Sequence, residues 1–203
     1  MKKRLHDKSA GIAILAVLII IALVEVIFRA TVIGKAALTT SNLGEQLTVI
    51  ALAAFIMIMT VMGKDRICYI CYGAWVGYFV LDQLFELPGT IIRAINFSAQ
   101  TADAGLVGVI RVVVTVCIIA IGGILVEYMN DGTIHKRAFN ALCVVTVLLL
   151  AVNIVFSVIG AVAVSSMYAL DTFYGLYRIA MVFLFAFFAY DSAKMQLKKT
   201  KLS

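Results

Sequence analysis

Residues 11–33 read GIAILAVLIIIALVEVIFRATVI, and Lys2, Lys3, Arg4 and Lys8 stand just before them. From Ile12 to Val24 every side chain is aliphatic, and Glu25 is the first charge after Lys8. A helix rising 1.5 Å per residue needs roughly 20 apolar residues to cross a hydrocarbon core about 30 Å thick. This stretch meets that length, and it lacks the period-2 alternation of a lipid-facing barrel strand.

Five further segments have the same character. With the first, the predicted spans run from Gly11 to Ile33, Glu45 to Gly63, Ile67 to Leu87, Ala104 to Val126, Ala138 to Val162 and Thr172 to Tyr190. Composition agrees with them. Of 203 residues, 64% are hydrophobic and 14% charged, with one proline, whereas a soluble domain has about 45–50% and 25%. The mean hydropathy is +1.07. A disordered chain, a nucleic-acid-binding domain and a soluble α/β enzyme are excluded. The expected fold is an all-α polytopic integral membrane protein, a six-helix bundle whose single transmembrane domain covers residues 1–203 and whose first partner is the lipid bilayer.

The distribution of charge orients the bundle. With the N-terminus inside, the inner segments carry Lys2, Lys3, Arg4 and Lys8, then Lys64 and Arg66, then Lys136 and Arg137, then Lys194, Lys198, Lys199 and Lys201. The outer loops hold Lys35 and Arg93, while Arg29, Arg111 and Arg178 fall within spans. Positive residues gather on the cytoplasmic side, so the prediction is a cell-membrane protein with both termini cytoplasmic. The net charge of +6 is then a topology signal and does not call for nucleic acid. An alternative reads the first span as a signal peptide cleaved near Gly34-Lys35-Ala36, which leaves five spans in the same orientation.

Pro88-Gly89 is expected to break the third helix. Arg93, Asn96, Gln100 and Asp103 then recur at helical spacing opposite Ile91, Ile92, Ile95 and Ala99. That pattern predicts a short amphipathic helix in the outer interface at about 89–103, either a lid over a cavity or a re-entry loop on the membrane surface. No three-plus-three internal repeat of the kind transporters use is visible.

Charges inside a membrane are expensive and face a cavity, a partner or the bundle interior. Glu25, Arg29, Asp82, Glu86, Arg111, Asn153 and Arg178 all fall in the outer halves of their spans, with Asp171 and Tyr174 above Arg178; the inner halves carry almost no charge. On the third helix Tyr72, Trp75, Phe79, Asp82 and Glu86 form one stripe. One reading is mutual neutralisation, with Glu25 taking Arg29, Asp171 or Glu86 taking Arg178, and Asp82 taking Arg111. The other is an outward-facing pocket for a small charged or zwitterionic solute. In it Arg forks suit a carboxylate or phosphate and aromatic faces suit a cation. The candidate ligand-binding residues are Glu25, Arg29, Trp75, Asp82, Glu86, Arg111, Asn153, Tyr174 and Arg178.

Cys68-x-x-Cys71, Cys117 and Cys143 all fall on the reducing, cytoplasmic side, and the second pair lacks metal-ligand spacing. His6 and His135 lie outside the spans, so no bis-histidine haem or Ser–His couple forms within them. No metal or cofactor is expected. No nucleophile, zinc or phosphate-loop motif occurs, which leaves an enzyme only carboxylates to work with. A solute-binding or transport protein is the expected function. The alternative is a non-catalytic regulatory or accessory subunit whose intramembrane charges pair with a membrane-protein partner or a second copy. Size, six spans, topology and the outer polar cluster are similar to those of substrate-binding subunits of vitamin importers, a likeness of architecture that implies the membrane component of a larger transporter.

Overall fold

A computed structural model describes residues 7–33, 40–98, 102–132, 134–163 and 166–200. Six helices occupy them: α1 (Lys8–Phe28, continued by one π turn, Arg29–Ile33), α2 (Thr40–Val61), α3 (Asp65–Ser98), α4 (Ala102–Asp131), α5 (Lys136–Ala163) and α6 (Ser166–Thr200). Each is long and apolar enough to cross a membrane. No strand occurs among the described residues. Gly34-Lys35-Ala36, the alternative cleavage site, lies outside them.

Local sequence sets the helix ends. Asp7 caps α1, its carboxylate accepting from the Ala10 backbone N–H at 3.1 Å and the Ser9 hydroxyl at 2.8 Å. Those bonds, the backbone one first, hold the Asp7 carboxyl below its usual range. α2 ends at Gly63, whose φ of 72° only glycine adopts without penalty. Gly63 N–H bonds Thr60 O and Lys64 N–H bonds Met59 O, the paired bonds of a Schellman stop. Gly63→Ala therefore forces a β-carbon into the left-handed region and is expected to lower stability by about 1 kcal/mol. A chemical-denaturation midpoint unchanged by that substitution would contradict this turn.

Each helix packs on its neighbours in sequence, and α6 returns to α1, so the six close a ring. α6 also touches α3 and α4 and is the inner helix, with Leu184, Phe185 and Ala189 fully buried. The core continues through Leu15 and Leu18 on α1, Ile56 on α2, Tyr72 on α3, and Ile118 and Ile121 on α4. The outer surface is apolar: Ile20, Ile27, Ile70, Phe85, Leu148 and Ile159 are exposed. A patch of that extent is a liability in water and suits lipid.

The third helix departs from expectation. It does not stop at Pro88 but continues as one helix to Ser98, so no separate interfacial helix occupies 89–98. Proline removes one backbone donor, but Thr90 Oγ1 donates to Glu86 O at 3.0 Å across the same turn. Beyond it, Ala94 lies against Gly108 of α4 so closely that a β-carbon on Gly108 would stand 2.9 Å from Ala94 Cα. This contact with α4 carries the helix past its breaker. Arg93 and Asn96 are exposed, but so are Ile91, Ile92 and Ile95. Gln100 and the Asp103 side chain lie outside the described residues.

Candidate functional site

Two ends of the bundle can be distinguished by the chain itself. One carries the start of α1 and the end of α6, where the Asp7 backbone N–H meets Asp191 Oδ1 at 3.3 Å; most candidate residues lie toward the other.

At that far end, α1 brings Glu25 and Arg29 together by their i,i+4 spacing. Glu25 Oε1 accepts from Arg29 Nη2 at 2.7 Å, Arg29 Nε at 3.0 Å and Gln46 Nε2 of α2 at 2.9 Å. Glu25 is 3% exposed. Arg29 opens the π turn, a local loosening found frequently at functional sites. The Tyr177 hydroxyl is buried nearby, and no described residue meets hydrogen-bond geometry with it. Glu45, one residue before Gln46, shares an electrostatic field with Glu25, Asp82, Glu86 and Arg29. α1, α2 and α3 thus contribute acids to one neighbourhood.

The second group is centred on α6. Tyr174 donates its hydroxyl proton to Glu86 Oε2 at 3.0 Å, while its oxygen receives Arg178 Nη2 at 3.2 Å and Gln83 Nε2 at 3.4 Å. The Arg178 guanidinium lies over the Tyr174 ring, 4.4 Å from its centroid, within the range of a cation–π contact. It also reaches Glu86 at 3.8 Å. Asp82 accepts from Gln83 Nε2 at 3.4 Å.

Arg111 pairs with Asp171 at 2.7 Å, not with Asp82 as the sequence suggests. α4 packs on α6 as well as on α3, and α6 supplies the acid. Both partners are about one-third exposed or more, so in water the pair is worth about 1 kcal/mol or less. Asp171 precedes Arg178 by two turns of one face, about 10 Å at 1.5 Å per residue. Arg111 therefore reaches α6 one level away from Arg178.

Two candidates stand apart. Trp75 packs against the apolar core, two turns deeper on α3 than Asp82. Asn153 of α5 is buried, and its Nδ2 has no partner among the described residues. Sequence reasoning passes over two residues, Gln46 and Gln83, both buried, because each stands beside an acid that draws the attention. The signal that could find them is an amide embedded in an apolar helix immediately after an acid, Glu45-Gln46 and Asp82-Gln83. The stripe expected on α3 holds at Tyr72 and drifts by about one position toward Asp82 and Glu86. Cys68, Tyr72, Val76, Gln83 and Thr90 form the buried face, while Asp82 and Glu86 sit beside it, half-buried.

The end that holds the start of α1 and the end of α6 also carries buried acids, just outside the expected spans. Asp191 and Asp65 are both buried. Lys8 bonds Asp65 at 3.2 Å, and Tyr69 bonds Ser192. The sixth helix runs past Tyr190, the expected end of the span, and takes Asp191 into the bundle. Cys68 receives the Thr60 hydroxyl at 3.4 Å, a packing contact between α2 and α3. Among the described residues no three of His, Cys, Asp and Glu are grouped to hold a metal ion.

No family model matches the chain, and neither a curated protein nor a solved structure does. The likeness to vitamin-importer subunits is accordingly one of span number and charge placement.

Proposed function

We propose that the protein sits in the cell membrane with both termini cytoplasmic. The far end of the bundle then faces outward and binds a small charged or zwitterionic solute, for transport by this chain alone or as the membrane component of a larger transporter. One observation supports this reading above the others. Five buried side-chain atoms of the far half have no partner among the described residues: Gln46 Oε1, Gln83 Oε1, Asn153 Nδ2, Tyr177 Oη and Arg178 Nε. Buried polar atoms are satisfied in the large majority of cases, and in lipid the cost of leaving them empty rises. Pure mutual neutralisation accounts for the Glu25–Arg29 and Arg111–Asp171 pairs. It leaves these five groups unexplained.

Ligand-dependent stability tests the proposal. The purified protein, in detergent or nanodiscs, is melted in the presence of amino acids, vitamins and small anions. A solute at 100 times its Kd adds about 2.7 kcal/mol, or about 5–11 °C for a chain of this size. A shift of that order with one class is expected. No shift with any solute, together with a co-purifying membrane protein, would replace this reading with that of an accessory subunit.

A further inference from the structure

At the end opposite the candidate site, three polar contacts tie three helices into a triangle. The Asp7 backbone N–H, at the head of α1, donates to Asp191 Oδ1 of α6 at 3.3 Å. Lys8 of α1 pairs with Asp65 of α3 at 3.2 Å, and Tyr69 of α3 bonds Ser192 of α6. We infer that the head of α1 is a strap that holds this end of the bundle shut and releases from α3 and α6 while the rest of the fold stays intact. In a transporter it is the gate opposite the solute site. The inference goes beyond the solute-binding reading and is tested without a solute.

Side chains, not helix packing, hold the strap to α3. α1 and α3 make next to no backbone contact along their length, and Lys8 and Tyr72 bridge the separation. Tyr72 reaches α1 at Gly11, where a β-carbon would stand 2.8 Å from its hydroxyl oxygen and 3.1 Å from the Phe187 ring of α6. Glycine leaves α1 a bare face against the two rings. The Lys8 side chain is 46% exposed and that of Asp65 10%, so water stands at the mouth of the contact with the acid inside it. An ion pair with one solvated partner is weak and parts by rotation of the lysine, while α1 keeps its packing on α2.

Closing this end has a cost that opening returns. Asp65, Asp191 and Ser192 are buried, although apolar residues in place of buried charges are often neutral or stabilising. A static clamp is better built of apolar side chains. The buried Tyr72 and Tyr128 hydroxyls have no partner among the described residues. Tyr128 shares an electrostatic field with Tyr69, and Tyr72 with Asp191, so both belong to this end. Buried hydroxyls are bonded in the large majority of cases. Water admitted past Lys8 and Asp65 satisfies them, which narrows the gap between the closed state and an open one.

Cys68 reports on the strap. It is fully buried on the same face of α3 as Asp65 and Tyr72, one turn from each. Cys143, half-buried on α5, is the reference, because α5 takes no part in the three contacts. Purified protein is reacted with N-ethylmaleimide at a series of low urea concentrations, and modification of each thiol is followed by mass spectrometry. In wild type Cys68 is expected to react through a local opening, at a rate nearly independent of urea below the unfolding transition. Lys8→Met is expected to speed Cys68 about threefold and Asp191→Ala about tenfold or more, with Cys143 unchanged. A wild-type Cys68 rate that climbs steeply from the lowest urea, as global unfolding requires, would overturn the inference. So would a Cys68 rate unchanged in both variants, or Cys68 and Cys143 rising together. If Asp191→Ala does not fold, the wild-type urea profile and Lys8→Met, altered at a half-exposed side chain, still decide the matter.

Discussion

Replacing Glu25 by alanine is expected to lower the stability of the bundle by about 3 kcal/mol, the low end of the cost of breaking a buried ion pair by removing one partner. The carboxylate oxygen accepts three N–H groups from Arg29 and Gln46, and its side chain is 5% exposed. Without it the Arg29 guanidinium, 19% exposed, must find other acceptors or drag water inward. For a chain of this length the loss corresponds to about 6–12 °C in Tm. Glu25→Leu combined with Arg29→Leu is expected to recover most of it, because apolar residues in place of a buried pair are often neutral or stabilising. The remaining deficit belongs to the Gln46 NH2 group, which the double variant still strands. Melting curves of wild type, the single variant and the double variant decide the matter. A single variant as stable as wild type, or a double variant no better than the single, would remove this pair from the interior. The double variant also separates two roles. If it folds well and binds no solute, the charges at this position serve the ligand as well as the fold.

Span number and helical character are legible because each depends on a run of neighbouring residues. Hydropathy over about 20 positions needs no knowledge of what packs where. Partner choice is not legible in the same way. The sequence suggests Asp82 for Arg111 and leaves Asp171 to Arg178, and the decision is made by α6 packing against α4. Pro88 shows the same limit. Its local signal is a helix stop, but the residues beyond it, Ala94 and Gly108, belong to a contact between two helices. The phase error on α3 has a more specific cause. Charged residues stand out in the sequence as markers of an inward face, whereas a fully buried position tolerates a neutral amide more cheaply than a carboxylate. Gln83 therefore points in, with Asp82 and Glu86 beside it. Asp191 escapes notice because a positive-inside count treats everything after Tyr190 as a soluble tail.

A close approach between α3 and α4 yields a prediction whose sign depends on a neighbour. A β-carbon on Gly122 of α4 would lie 2.5 Å and 2.7 Å from the two γ-carbons of Val80 on α3. Valine is stiff at χ1, and rotating it out of the way of one methyl brings the other in. Gly122→Ala is therefore expected to destabilise by about 1–3 kcal/mol, more than offsetting the gain of about 1 kcal/mol that alanine brings to a helix interior. In a Val80→Ala background the γ-carbons are gone, and the same Gly122→Ala change is expected to become neutral or stabilising by up to about 1 kcal/mol. The comparison that isolates the mechanism is Gly108. There the obstacle is the Ala94 Cα, 2.9 Å from the added carbon, and backbone is not trimmed by mutation. Gly108→Ala should cost about the same, 1–3 kcal/mol, whether position 94 is alanine or glycine. Double-mutant cycles on the two pairs, read by denaturation in one detergent, should show coupling of about 1 kcal/mol or more at 80–122 and little at 94–108. Equal penalties for Gly122→Ala in both backgrounds would mean that α3 and α4 do not meet in this register. The Ala94–Gly108 contact that carries α3 beyond Pro88 would then lose its basis, because the two close approaches belong to one antiparallel alignment.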